Sequence, residues 1–503
     1  MSTIGLDIGT TGCKAVAFDD EGHMIASAYR EYPLHHPEPD AAELDSREVC
    51  DKALAVLAEC AAACAGDSPR AIGISSQGEA VTPLDASGAP LANAMVSSDA
   101  RPARIAREWT EAFGAERLYG ITGHTAHPLF TLYKLLWFRE QRPDVWSSAT
   151  RFHCFEDLLH TRLGLDHAMS WPLAGRTMLF DVTLHEWSAE VLDAAEIDAA
   201  RLPRLAPSGS VVGEIPSRIA NELGLPAGVL VVAGGHDQPC AALGAGAVEP
   251  GRAMYATGTV ECICPMLPSA AFTRELFDAN LCTYDFTLPG TYTTVAYSLT
   301  GGNLLQWFRE QWSGVESVEA QRTGQNVYDL LLEQMPPDPG AVMALPYFTP
   351  SGTPYFDTET PGALFGLRLQ TTRGEVLRAL LEGVAFEMRL NVDILAQAGV
   401  SVSDFRAVGG GSRNRRLTQL KADVLHRPVT TVAVTEAGCL GVAILAHAAV
   451  SGIPARDIAD AWVRTGDTVE PDTTRATRYD ELFPKYRQLY RAMKELQGKM
   501  SVE

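Results

Sequence analysis

Short apolar runs that favour strands alternate along this chain with segments whose apolar residues recur every three or four positions. The first run, IGLDIGTTGCK at 4–14, sets apolar residues on both sides of Asp7, breaks at Gly9-Thr10-Thr11-Gly12, and resumes as AVAF. That is the pattern of two strands joined by a tight glycine turn. Within 46–65, Val49, Ala53, Val56, Leu57 and Cys60 fall at helical spacing and predict an amphipathic helix. Two β-rich runs then surround Gln77-Gly78-Glu79, and Asp85-Ala86-Ser87-Gly88 has the composition of a hairpin turn. The stretch 229–233 reads as a buried strand that breaks at Gly234-Gly235, presents His236-Asp237-Gln238 and enters a small-residue helix. The alternation predicts an α/β fold.

After 247–251 the organisation restarts, because RAMYATGTVECICP repeats the opening theme of strand, Gly-Thr turn and strand in a different sequence. A domain boundary is therefore expected near 250, giving domains over 1–248 and 249–503. The second half supplies Gly301-Gly302 ahead of an amphipathic helix, and Gly409-Gly410-Gly411 between a strand and a long helix. Near the C-terminus, Tyr479, Leu482, Tyr486, Leu489 and Met493 share one stripe, predicting a helix that docks on the second domain.

Composition narrows the function. With 503 residues, 46% hydrophobic and 20% charged, the chain has enough apolar material for two or more cores. A formal net charge of −21 opposes binding to nucleic acid or to an anionic membrane surface. The N-terminus lacks a basic segment followed by an apolar one, and no apolar run approaches the roughly 20 residues needed to span a bilayer. A cytoplasmic location is the expectation. Ten cysteines occur without a CxxC pair, so reduced thiols are expected. Cys60 and Cys64 stand at helical spacing and Cys262 and Cys264 flank one residue, but neither pair has a third ligand nearby, and structural zinc is not expected.

The chemistry concentrates at the turns. In the opening hairpin, Gly9 and Gly12 permit close backbone approach, the hydroxyls of Thr10 and Thr11 can donate to phosphate oxygens, and Asp7 can hold a magnesium ion through water. The same sequence also suits an ordinary tight turn. Asp237, at a strand-to-helix junction, can present a carboxylate to a ligand or cap its own helix. The glycines before the two later helices leave backbone N–H groups free for an anionic or polar ligand.

Taken in order, these features resemble the FGGY carbohydrate kinases, which share the actin-like ATPase fold with hexokinase and glycerol kinase. The matching pieces are DIGTTGCK at 7–14, SSDAR at 97–101, TLYKLLWFREQ at 131–141, GGHDQPCAALG at 234–244 and ATGT at 256–259. GALFGLRLQTTRGEVLRALLEG at 362–383, GGGSRN at 409–414 and EAGCLGVAILA at 436–446 complete the set. The resemblance implies two actin-like (ribonuclease H-like) domains around a catalytic cleft, and transfer of the γ-phosphate of ATP to a sugar or polyol hydroxyl. Asp237 would be the general base and would flank the magnesium ion together with Asp7. Thr10, Thr11, Gly258 and Thr259 would face the phosphates, and Gly302, Gly410 and Asn414 the ribose and adenine. Lys14 is left to solvent, and Leu380 to the packing of a helix. Homodimers are common among these kinases, although no pattern here marks an interface.

Departures from the family patterns bear on the sugar. Xylulokinases usually carry Gln-Met-His-Gly where this chain has Gln77-Gly78-Glu79-Ala80, and glycerol kinases carry Gln-Arg-Glu-Thr. Leu129 replaces a glycerol-kinase Tyr, and Ser97 replaces the usual Trp before Asp99. Glu79, Gln77 and Gln238 are the substrate candidates, joined by Asp99 and Arg101, which could instead simply bridge one another. The expected activity is a xylulokinase-like pentulose kinase. A kinase for erythritol, gluconate or a hexulose is the alternative, followed by a non-catalytic nucleotide sensor. Glu79 would repel a sugar acid unless Arg101 offset it.

Overall fold

Two mixed sheets organise the chain in the computed structural model, which describes residues 2–64 and 66–500. The first sheet runs Val211–Glu214, Leu230–His236, Pro69–Ser76, Ser2–Ile8, Gly12–Phe18, Met24–Glu31. Its three central strands, Leu230–His236, Pro69–Ser76 and Ser2–Ile8, are parallel and covered on both faces, which is why they read as continuous apolar runs rather than alternating ones. Their register pairs Asp7 with Ser75, Ile8 with Ser76 and His236 with Ser76. The carboxyl ends of all three therefore open on one rim, the edge at which open α/β sheets bind ligands.

The second sheet repeats the plan. Arg252–Thr257 pairs antiparallel with Glu261–Leu267 and parallel with Asp404–Val408, which is in turn parallel to Val429–Val432. Each sheet thus begins with a Gly-Thr hairpin and continues with parallel strands, and the two hairpins occupy equivalent places.

The helix expected over 46–65 is found as Ser46–Ala63, with Ala65 outside the described residues. Asp45 caps it, accepting from the N–H groups of Arg47 at 2.9 Å and Glu48 at 3.4 Å. Val49, Ala53, Val56, Leu57 and Cys60 all turn to the core. The C-terminal helix Thr473–Met500 buries Tyr479, Leu482 and Tyr486 against the long helix Arg373–Gln397, where Leu380 is also buried.

One helix from the second half returns to the first sheet. Ala437–Ser451 lies against Ser2–Ile8 and Pro69–Ser76, an approach that glycine alone permits. A Cβ on Gly5 would sit 1.8 Å from the carbonyl oxygen of Cys439, and one on Gly73 2.1 Å from that of Val442. The same helix crosses Asp237–Gly244 with the backbones nearly touching. A Cβ on Gly441 would lie 1.9 Å from the oxygen of Cys240, and one on Gly244 1.9 Å from that of Ala437. All ten cysteines are buried and free, and among the described residues no helix is long and apolar enough to cross a membrane.

Candidate active site

The first hairpin closes through Gly9 N–H donating to Gly12 O at 3.0 Å, which leaves Thr10 half-buried and Thr11 exposed at its tip. Gly12 is obligatory, since a Cβ there would lie 2.6 Å from the oxygen of Arg30. The turn is braced from beneath by Gln77, whose Nε2 donates to Gly9 O at 2.9 Å and whose Oε1 accepts from Thr10 Oγ1 at 3.3 Å. Gln77, expected at the sugar, thus spends both ends of its amide on the hairpin. Asp7, at the end of Ser2–Ile8, accepts from Ser75 Oγ at 2.6 Å. Burial raises its pKa, Ser75 lowers it, and the nearby Glu436 adds to the rise. Lys14, assigned to solvent from the sequence, instead bonds Glu436 at 2.7 Å.

Asp237 follows the last residue of Leu230–His236 and begins the helix Asp237–Gly244. The helix-cap reading fails, because His236 holds the cap position and no side chain caps this helix. Asp237 Oδ1 is buried and accepts no hydrogen bond, while the side chain as a whole keeps 30% exposure. His236 Nε2 lies 3.2 Å away, but its ring is neutral: burial, Arg176 and His124 push its pKa far down, and its Nδ1 is shared with Tyr284 Oη at 2.9 Å. Desolvation, with repulsion from Asp7 and Glu79, pushes Asp237 up to about 7. Gln238 Oε1 accepts from Cys262 Sγ at 2.8 Å, tying this helix to the second sheet.

Glu79 is buried in a left-handed conformation, φ 64°. Its backbone oxygen accepts from Lys134 Nζ at 3.0 Å and Thr131 Oγ1 at 3.1 Å. Its Oε1 accepts from both Nε and Nη2 of Arg176, the former at 2.5 Å. The sequence reading missed Arg176, since the only signal was a lone arginine in the apolar run WPLAGRTMLF. Asp99 and Arg101 are not free for substrate. Asp99 Oδ2 accepts from Ala42 N–H at 3.0 Å and from Arg101 Nη2 at 2.6 Å, while Arg101 also bonds Glu38 and Glu43 and stacks on Trp137. Each satisfies the other, so the simple bridge is the arrangement that forms.

The second hairpin borders a cavity of about 630 Å³, a volume suited to a nucleotide-sized ligand. Gly258, Thr259, Gly302, Gly410 and Asn414, drawn from three separate segments, all line it. Gly302 N–H donates to Gly258 O at 2.9 Å, and a Cβ on Gly302 would come 2.7 Å from that same oxygen. Gly409 takes φ 90°, which turns the chain so that Gly411 packs on Thr257. Asn414 Oδ1 caps the helix Arg415–Leu425, and its Nδ2 donates to Asp329 at 2.7 Å. The floor holds a buried pair absent from the sequence reading, Lys421 with Glu261 at 2.5 Å.

Two Gly-Thr hairpins, a carboxylate between strand and helix with one oxygen lacking a hydrogen bond, and a separate nucleotide-sized cavity agree with what comparison finds. Residues 2–244 match the N-terminal domain, and residues 253–450 the C-terminal domain, of the FGGY family of carbohydrate kinases. A glycerol kinase from Methylibium petroleiphilum is 33% identical over 462 residues, 88% of this chain and 89% of that one. A xylulose kinase from Staphylococcus epidermidis is 27% identical over 500 residues, 98% and 97% of the two chains. A xylulose kinase structure from Rhodospirillum rubrum superposes with a TM-score of 0.88 at 28% identity, covering 99% of each chain. With both family domains in order and the two-domain actin-like fold in place around the cleft, this chain belongs to the FGGY family of carbohydrate kinases and is a sugar phosphotransferase.

Proposed function

We propose that Asp237 removes the proton from a sugar hydroxyl as that oxygen attacks the γ-phosphorus of ATP. The observation that carries this is its carboxylate, enclosed at the rim, with one oxygen left without a hydrogen bond. A carboxylate so placed can accept a proton within hydrogen-bond reach, and its elevated pKa strengthens it as a base. Thr10, Thr11, Gly258 and Thr259 hold the phosphates between the hairpins, and Gly302, Gly410 and Asn414 face the ribose and adenine. These groups position the reactants, and positioning supplies most of the catalysis in phosphoryl transfer.

Magnesium fits the residues present, because Asp7 and Asp237 are hard oxygen donors close enough that the Asp7 charge raises the pKa of Asp237. Bound there, the ion would neutralise charge on the phosphates. The chain's own part is to keep both carboxylates anchored, Asp7 through Ser75. We assign sugar binding to residues 1–248 and nucleotide binding to 249–503. The substrate is a neutral sugar, with a pentulose such as xylulose foremost, given the xylulose kinases among the relatives. Glu79 faces the sugar hydroxyls, while Gln77, Gln238, Asp99 and Arg101 build the walls. The test is ADP release from Mg-ATP with D- and L-ketopentoses, ketohexoses, tetritols, glycerol and gluconate. One strong responder that D237N fails to turn over supports the assignment, and equal turnover by D237N refutes it.

A further inference from the structure

The sugar side of the cleft contains a cation that proton transfer does not use. The Arg176 side chain is 12% exposed and that of Glu79 4%. Besides its double contact to Glu79, Arg176 sets Nη1 3.0 Å from His124 Nε2 and packs on the rings of Phe130 and Tyr284. Gly78 makes room for it, as a Cβ there would come 3.3 Å from Arg176 Cγ and 3.0 Å from the His236 ring. The surrounding histidines add no charge: burial, aided by Arg176 itself, drives the pKa values of His124, His127 and His236 down. Lys134 is turned to the Glu79 backbone, and Arg101 is consumed by Asp99, Glu38 and Glu43. What remains on this side is Arg176 paired with Glu79, beside Lys134 on the Glu79 backbone oxygen and the Asp7 and Asp237 carboxylates assigned to magnesium.

Building on the sugar-kinase role proposed above, we infer that Glu79 masks Arg176, and that this buried pair makes the pocket select neutral sugars over sugar acids. A guanidinium fork matches a carboxylate bidentately, so an unmasked Arg176 would be a ready acceptor for an aldonate. While Glu79 occupies it, an incoming carboxylate meets a neutralised cation and finds no free guanidinium fork. Glu79 thus discriminates through its partner as well as through its own contact with hydroxyls.

The experiment compares kcat/KM for D-xylulose and D-gluconate in the wild-type protein, E79Q, R176M, R176K and E79Q/R176M. Glu79→Gln keeps the shape of the side chain while removing its charge. The expected result is a gluconate-to-xylulose ratio at least tenfold higher in E79Q, with the gain abolished in E79Q/R176M and no gain in R176M or R176K, which keep the Glu79 carboxylate. An unchanged ratio in E79Q, a gain that survives loss of Arg176, or a wild-type preference for gluconate would overturn the masking role. Should the wild-type protein phosphorylate neither sugar, that counts against the substrate assignment, and calorimetry still decides the masking. Gluconate binding to E79Q but not to wild type supports it, and equal binding, or none to either, refutes it. Circular dichroism and a melting curve exclude variants that do not fold.

Discussion

Replacing Asp237 by asparagine should abolish turnover and at the same time stabilise the fold. The carboxyl is pushed from an ordinary value of 3.8 up to about 7, chiefly by desolvation and then by Asp7 and Glu79. At about 1.4 kcal/mol for each pH unit, this sets a ceiling of about 4 kcal/mol on the cost of keeping it ionised in the native state. The side chain retains 30% exposure, and solvent relaxation reduces the figure to about 1–2 kcal/mol. The direction follows from proton binding. Between pH 4 and 7 the folded protein holds a proton that the unfolded chain has released, so the cost is complete above pH 7 and fades toward pH 4. Asp237→Asn removes it, so the variant should melt a few degrees above wild type at pH 8 in EDTA. By pH 5 that gain should shrink by more than half. Other buried acids, such as Glu156 and Glu387, titrate equally in both proteins and cancel in the difference. Loss of the base should lower kcat by about 10²–10⁴-fold while nucleotide binding persists. A D237N protein that melts below wild type at pH 8, or gains equally at both pH values, would refute the idea of a strained catalytic carboxylate.

Three further outcomes separate binding from architecture. Asn414→Ala removes a helix cap and the tie to Asp329, so it should cost about 1 kcal/mol and raise the KM for ATP while leaving that for sugar unchanged, as measured by initial rates at saturating cosubstrate. Gly441→Ala inserts a methyl 1.9 Å from the Cys240 oxygen, where backbone and not a flexible side chain must move; a loss of at least ~2 kcal/mol should appear as a lowered melting temperature. Asp99→Asn breaks a buried pair, with a cost of about 3 kcal/mol in stability, yet should leave the sugar KM within about twofold of wild type. A large KM increase at an unchanged melting temperature would instead mean that Asp99 contacts the sugar directly rather than bracing the wall.

What could be read in the sequence, and what could not, divides by the distance over which each feature is specified. The two Gly-Thr hairpins were legible because a phosphate turn needs its glycines and hydroxyls within a few consecutive residues, and Asp237 because it follows a buried strand directly. The five nucleotide-side residues, Gly258, Thr259, Gly302, Gly410 and Asn414, converge on one cavity because each lies at a strand end or helix start that the two-sheet topology brings together. Side-chain direction was not legible. Gln77 and Gln238 sit at the rim as expected, yet their amides are committed to Gly9, Thr10 and Cys262. Nor was partnership across the chain. Glu79 and Arg176 lie 97 positions apart and meet only after the helix Trp171–Gly175 is laid beside the first sheet. The missing side chain at position 78, which in sequence looked like the loss of a sugar contact, is in three dimensions the condition for another. A Cβ there would crowd Arg176 and His236 at 3.0–3.3 Å, so a larger residue would shift them and the occupants of positions 78, 79 and 176 are coupled. The pair inferred to select the substrate and the glycine beside it thus come from separate segments, and no contiguous motif contains all three.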